Sequence, residues 1–266
     1  MKLTFNKFGS GLQSLVILHG LLGSKNNWNT VAKILAREHT VFVPDLRNHG
    51  NSPHGKHSIE AMTDDILEML QNENIENPVV LGHSMGGFVA MKLAVAYPNR
   101  LRGLVVVDIA PTVSLHGLDT ILEAMVNVDL RLAHRREDVD DQLKNHITSK
   151  ATRQFLLQNL KRQADGRFHW RCNLPELQKF VQQSNTFTLA PEEKYPGPTL
   201  FIAGGKSAHQ IGAKEHPIRQ HFLTAEIHTI QGAGHWVHFE AQQDFVNEVN
   251  WFMKAVNPTP PAFKKN

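Results

Sequence analysis

The stretch Gly82-His83-Ser84-Met85-Gly86 sets one hydroxyl between two glycines, directly after the apolar run Val79-Val80-Leu81 and before a helix-forming stretch from Phe88 to Ala96. A strand that turns at once into a helix through Gly-x-Ser-x-Gly holds its serine in strained backbone. The hydroxyl is then presented above the sheet with a helix N-terminus behind it. Small residues at 82 and 86 are needed because a Cβ there would strike the adjacent strand or helix. The chemistry that suits such a hydroxyl is nucleophilic attack on a carbonyl carbon. The pattern also occurs in ordinary glycine-rich turns, so the rest of the chain must supply a base, an acid to orient it and donors for an oxyanion.

The base expected is His235. The chain has sixteen histidines, and a lone one carries little information. His235 stands apart because it follows the last predicted strand, in the glycine-bounded loop Gln231-Gly232-Ala233-Gly234-His235-Trp236. His238 is its near competitor, at the start of the last helix. In many enzymes of this layout the orienting acid follows the strand at 198–203. Here the residues after that strand are Gly204-Gly205-Lys206-Ser207-Ala208-His209-Gln210, with no carboxylate. Glu215 is too far along, on a helix, and Asp45 comes too early and orders its own loop. Asp108, at the end of the strand after the Ser84 helix, remains, in the order Ser84, Asp108, His235. Ser207 then occupies the usual acid position, where its hydroxyl is expected to bond into the His–Asp pair. The oxyanion donors expected are the backbone N–H groups of Met85 and Leu21, the latter in the loop His19-Gly20-Leu21. His19 and His49 are read as loop-ordering residues, and Leu21 and Leu22 as pocket wall.

The elements that must position these groups follow from apolar patterning. Residues 2–8 read as an edge strand. Continuous apolar runs at Ser14–Leu18, Thr40–Val43, Val79–Leu81, Leu101–Val107 and 198–203 read as strands buried on both faces, and 225–230 alternates as a further strand. Helices are predicted with Trp28, Val31 and Leu35 on one face, and after a Ser58 cap with Ile59, Met62, Ile66 and Met69. Others are expected around 211–222, interrupted near Pro217, and at 240–256. This alternation predicts an α/β fold with a mostly parallel, doubly wound sheet whose site lies at the carboxyl ends of the strands. The domains expected are a core of 1–111 and 196–256, a helical cap of 112–195 between two strands, and a loose tail of 257–266. Within the cap, helices are expected near 117–129, 135–147, 150–163 and 173–183, with no clear buried strand.

Composition bounds the partners. Of the 266 residues 41% are hydrophobic and 20% charged, with a net charge of +3, which suits a soluble globular protein rather than a nucleic-acid binder. The single cysteine, Cys172, forms no internal disulfide and is read as a packing residue. With no apolar leader and no run near the ~20 residues of a membrane span, the location expected is the cytoplasm. No metal-ligand spacing and no phosphate-cradling loop is present, so no cofactor is expected. Residues 144–171 hold Lys144, Lys150, Arg153, Lys161, Arg162, Arg167 and Arg171 against one acid, Asp165. They read as a solvated helix face or as an attractor for an anionic substrate such as a coenzyme A thioester.

Taken together, five motifs resemble those of the α/β-hydrolase superfamily over about residues 2–256. They are His19-Gly20-Leu21-Leu22-Gly23-Ser24, Asp45-Leu46-Arg47-Asn48-His49-Gly50, Gly82 to Gly87, Asp108-Ile109-Ala110-Pro111 and Gly234-His235-Trp236-Val237-His238. Within it the chain looks like the bacterial YbfF-type esterases. That resemblance implies esterase or thioesterase activity on acyl esters, including acyl-coenzyme A, an acid matching Asp108 and a serine matching Ser207 that extends the triad. The alternatives are a relative using the same groups for carbon–carbon hydrolysis or a lyase step, and a non-catalytic ligand-binding homologue.

Overall fold

A computed structural model describes residues 1–114, 117–183 and 186–257. The tail expected over 257–266 lies outside them except for Asn257. The chain runs through β1 (Phe5–Phe8), β2 (Ser14–Leu18), α1 (Asn29–Leu35), β3 (Thr40–Pro44), α2 (Ile59–Asn72), β4 (Val79–His83), α3 (Met85–Ala96) and β5 (Gly103–Val107). The interposed segment carries β6 (Thr112–Ser114), α4 (Leu118–Val126), α5 (Arg136–Lys144), α6 (Lys150–Leu157), β7 (Leu160–Arg162), β8 (Phe168–Trp170), α7 (Leu174–Gln183) and β9 (Thr186–Thr188). The chain then returns through β10 (Thr199–Gly204), α8 (Glu215–His221), β11 (Ala225–Ile230), α9 (Val237–Glu240) and α10 (Gln242–Ala255).

The central sheet has the order β1-β3-β2-β4-β5-β10-β11. Only β1 is antiparallel to its neighbour; the other pairings are parallel. The continuous apolar runs are explained by this. Side chains alternate between faces along a strand, and both faces are covered. Val16, Leu18, Val80, Leu104 and Val106 pack with residues of α2 and α3. Leu15, Ile17, Val79, Leu81, Val105 and Val107 pack with Val31 and Leu35 of α1 and Phe245 and Val249 of α10. Ser58 caps α2 by accepting the Ala61 N–H at 3.2 Å, as its position suggests.

β5 and β10 are adjacent in the sheet, so the segment between them is an excursion that leaves one strand and returns to its neighbour. β6 and β9 pair antiparallel and close the base of that excursion. Here the sequence reading needs one correction. The helix expected over 150–163 ends at Leu157, and the chain forms the hairpin β7–β8, with Leu160 opposite Trp170. The turn carries Asp165-Gly166, with Gly166 at φ +85°, a pairing that favours hairpins over helices. Two smaller differences concern the ends of helices. The stretch 211–222 divides into a short 3-10 turn and α8, and the last helical region divides into α9 and α10.

Candidate active site

The turn from β4 into α3 places Ser84 at φ +52° and ψ −120°, a conformation that non-glycine residues avoid. Its glycine neighbours have the steric role expected of them. A Cβ on Gly82 would lie 2.1 Å from the Gly86 carbonyl oxygen, and one on Gly86 2.4 Å from that of Leu18. The Ser84 N–H donates to Val107 O at 3.1 Å. The ends of β4 and β5 are thereby bound together, and Asp108 is the next residue after Val107.

Asp108 is fully buried and itself sits at φ +50°. Its Oδ1 accepts the Gly204 N–H at 2.9 Å. Its Oδ2 accepts His235 Nδ1–H at 2.7 Å and the Ser207 hydroxyl at 2.5 Å. The His209 N–H in turn donates to Ser207 Oγ at 3.2 Å. Buried carboxyl oxygens need such donors in place of the water they have lost. With Nδ1 protonated and bound to Asp108, the Nε2 of His235 keeps its lone pair.

Ser84 and His235 line one cavity of about 210 Å³. Among the described residues no hydrogen bond joins Ser84 Oγ to His235, a looseness common before substrate binds. The cavity wall is mainly apolar, with Leu21, Met85 and Phe88 from the core and Ile121, Phe155 and Phe180 from α4, α6 and α7. The N–H groups of Leu21 and Met85 have no acceptor among the described residues. They remain available to a developing negative charge.

The loop that carries Leu21 is held by neutral histidines. His19 Nδ1–H donates to Gly20 O at 2.8 Å, and its Nε2 accepts the Leu46 N–H at 3.0 Å. Burial lowers the pKa of His19 and pushes that of His49 well below its usual range. Each ring therefore stays a donor on one side and an acceptor on the other. His49 Nε2 accepts the Leu22 N–H at 3.2 Å. Asp45 is engaged elsewhere, pairing with Lys25 at 2.7 Å and accepting the N–H groups of Lys25 and Asn51.

The competitors lie outside this constellation. His238 is buried and stacked on Trp28 with ring centroids 4.0 Å apart, and burial brings its pKa down to about 3. Glu215 is on α8 and pairs with Arg219. Two contributors went unnoticed in the sequence. Glu240 accepts the Gly234 N–H at 2.9 Å and the Trp236 N–H at 3.2 Å, clamping the loop on both sides of His235. His83 Nε2–H donates to the His235 carbonyl at 2.9 Å, and burial keeps that ring neutral. An acid shortly after a Gly-His-Trp loop was the available signal for Glu240. Asp108, His209 and His235 present possible metal-ligand atoms within 4.8 Å of one another. Both Asp108 oxygens already accept hydrogen bonds, so the carboxylate has no unengaged oxygen for a cation.

The family model described as "Alpha/beta hydrolase family" matches residues 15–249. The chain belongs to the alpha/beta hydrolase family. Within this family it is 40% identical to the mouse (Mus musculus) sn-1-specific diacylglycerol lipase ABHD11 over 91% of this chain and 81% of that protein. It is 34% identical to esterase YbfF of Escherichia coli (strain K12), over 85% of this chain and 87% of the relative. The similarity to YbfF-type esterases noted from the motifs is thus present along most of the chain. Among solved structures, a marine microorganism esterase superimposes with a TM-score of 0.89 at 33% identity, covering 94% of this chain and 99% of the other.

Proposed function

We propose that this chain is a serine carboxylesterase that hydrolyses acyl esters through an acyl-enzyme on Ser84. The observation that carries the reading is the 2.7 Å bond from His235 Nδ1–H to buried Asp108, beside the cavity that Ser84 also lines. In this mechanism His235 Nε2 takes the Ser84 proton as Oγ adds to the ester carbonyl. Asp108 stabilises the resulting imidazolium, and the N–H groups of Leu21 and Met85 receive the oxyanion. Collapse expels the alcohol, which leaves with the proton from His235. Water, deprotonated by the same ring, then adds to the acyl-enzyme and releases the acid. Ser207 and the Gly204 N–H hold Asp108 in orientation.

Segment 112–195 acts as a cap in this reading, because α4, α6 and α7 supply part of the apolar wall. An apolar wall of this kind receives the hydrocarbon of an acyl chain.

Oxygen esters rank ahead of coenzyme A thioesters. None of the seven basic residues of 144–171 lines the cavity. Arg153 is buried against Asp140 at 2.8 Å, and Arg167 pairs with Asp165 at 2.6 Å. The location proposed is the cytoplasm, on the ground that one cysteine permits no internal disulfide. Among the described residues no helix is long and apolar enough to cross a membrane.

The test is turnover of 4-nitrophenyl butyrate, octanoate and palmitate by the purified protein and by Ser84→Ala. The expected result is hydrolysis of at least one of the three esters, abolished in the variant, with fluorophosphonate labelling lost as well. Full activity in a folded Ser84→Ala protein would overturn the reading.

A further inference from the structure

Asn159 lies between α6 and β7, in the segment outside the sheet, yet it reaches the loop that carries Leu21. Its side chain is buried, and Nδ2–H donates to Leu22 O at 2.6 Å across 137 positions of sequence. The peptide that supplies this Leu22 carbonyl also supplies the Gly23 N–H, which donates to Gly20 O at 3.0 Å. The peptide that supplies the Gly20 carbonyl supplies the Leu21 N–H. A series of bonds therefore runs from the Asn159 amide, through the Leu22–Gly23 peptide, to the Gly20–Leu21 peptide, and ends in an N–H with no acceptor among the described residues.

We propose that Asn159 is a positioning residue for the oxyanion site: it fixes and polarises the peptides that aim the Leu21 N–H into the cavity. The inference rests on the reading of Leu21 as an oxyanion donor. Two physical effects support it. A carbonyl that accepts a hydrogen bond leaves the N–H of its own peptide a stronger donor, so bonds in series reinforce one another in a buried site. Leu22 also sits at φ +60°, a strained conformation for a leucine that persists only where its surroundings hold it. The His49 ring holds its N–H and Asn159 its C=O. Releasing the carbonyl frees the Leu22–Gly23 peptide to rotate and removes one of the two bonds that hold the Gly20 carbonyl. The other, from His19, remains.

The neighbouring Gln158 supplies an internal control. Its Oε1 accepts from Asn27 Nδ2, a second tether between the same segment and the core that lies outside the peptide series. The Gln158 tether is exposed and the Asn159 tether buried, so stability does not separate the two roles; a purely structural role for Asn159 would leave the response of the oxyanion site unchanged.

The experiment compares wild type, Asn159→Ala, Asn159→Asp and Gln158→Ala on 4-nitrophenyl butyrate and on its thiono analogue, in which sulfur replaces the carbonyl oxygen. Sulfur accepts hydrogen bonds weakly, so the ester-to-thionoester ratio of kcat reports how strongly the oxyanion site acts. In Asn159→Ala, kcat on the ester is expected to fall about tenfold, less than the ~10² that follows loss of a donor itself. KM should stay close to wild type and the ratio should shrink. Gln158→Ala should keep both kcat and the ratio. If Asn159→Ala does not fold, Asn159→Asp, which keeps the shape but removes the amide donor, is read in its place. A folded Asn159 variant with wild-type kcat and ratio, or a change confined to KM, overturns the proposal. Absence of ester turnover in the wild type, or its persistence in Ser84→Ala, would instead overturn the esterase reading.

Discussion

Ser207 donates its hydroxyl to Asp108 Oδ2, the same oxygen that receives His235 Nδ1–H, at 2.5 Å and 2.7 Å. The serine therefore stands beside the imidazole on one lone-pair-bearing atom, and the other oxygen is held by the Gly204 N–H. Removing the serine leaves Asp108 two donors and an ionised, less well-fixed carboxylate. Ser207→Ala is expected to fold and to lose about tenfold in kcat, in line with the ~1.5–3 kcal/mol of a hydrogen bond to a charged group. Asp108→Asn should lose on the order of 10⁴, because the amide presents the wrong partner to Nδ1–H. Glu215→Gln, on α8, should change nothing. Steady-state kinetics on one aryl ester for the three variants checks the order. A Glu215→Gln enzyme as impaired as Asp108→Asn would overturn the assignment of the acid.

The buried histidines make stability depend on pH in a defined direction. Burial brings His57 down to about 4 and His238 to about 3, while both return toward 6.5 when the chain unfolds. Between those limits the unfolded chain binds more protons than the folded one. Stability is therefore fully present above about pH 6.5 and is lost as pH falls toward the folded values. For His57 alone the loss is about 3 kcal/mol. Urea unfolding at pH 7.5, 6.0 and 5.0 should show a falling midpoint, with a shallower fall in His57→Gln. A midpoint independent of pH over this range would contradict the burial of neutral rings.

How much of this could be read from the sequence depended on whether the causes are local. The strands were legible because a parallel strand buried on both faces must be apolar where it is buried, as Ser14–Leu18 is after its first residue and Gly103–Val107 is throughout. The turn at Ser84 was legible because its two glycines are a steric requirement of the turn itself. The Asp108–His235 contact left a trace as the missing carboxylate in 204–210. The hairpin β7–β8 was lost because its strands are three residues long and half exposed, too short for alternation to outweigh helix-forming neighbours. Only Asp165-Gly166 marked it. The clamps by Glu240 and Asn159 had no trace in periodicity, since each depends on a fold that brings distant backbone to one side chain. A count of charges in 144–171 could not show that Asp140, outside the stretch, neutralises Arg153.

That pairing leads to a prediction about substrate charge. Lys144, Lys150 and Lys161 are exposed, and none lines the cavity. Exposed charges farther from the reacting atoms than a Debye length of about 8 Å are largely screened at physiological salt. Replacing all three with Glu should leave kcat/KM for neutral aryl esters unchanged. It should also leave KM for an acyl-coenzyme A unchanged at that salt, if that substrate is hydrolysed at all. A marked rise in KM for the thioester alone, diminished by salt and absent when the three positions carry Arg, would restore the basic stretch as a substrate contact. Arg153→Leu is a different case. It strands Asp140 and two carbonyls, those of Ile147 and Thr148. Asp140 keeps some access to water, so the loss expected is about 1–3 kcal/mol, from the unpaired carbonyls, measurable as a lower denaturant midpoint.

The glycines around Ser84 separate steric necessity from mere proximity. At Gly82 an added Cβ would meet the Gly86 carbonyl oxygen and carbon at 2.1 and 2.5 Å. At Gly86 it would meet Leu18 O at 2.4 Å and His19 O at 2.7 Å. All four are backbone atoms: relieving the first clash means moving β4 against α3, which displaces Ser84 between them, and relieving the second means moving α3 against the end of β2 and the loop that follows it. At Gly87 the nearest atom is Ile109 Cγ2 at 2.5 Å, with Gly82 O next at 3.2 Å. The first is a side-chain methyl rather than backbone, so the contact is relieved by repacking Ile109, at a cost of about 1–3 kcal/mol for overpacking. Gly82→Ala and Gly86→Ala should therefore be insoluble or inactive, whereas Gly87→Ala should fold, melt lower and keep much of its esterase activity. Far-ultraviolet dichroism with aryl ester turnover distinguishes the cases. Gly82→Ala with wild-type melting and turnover would show that the turn has room the geometry denies it.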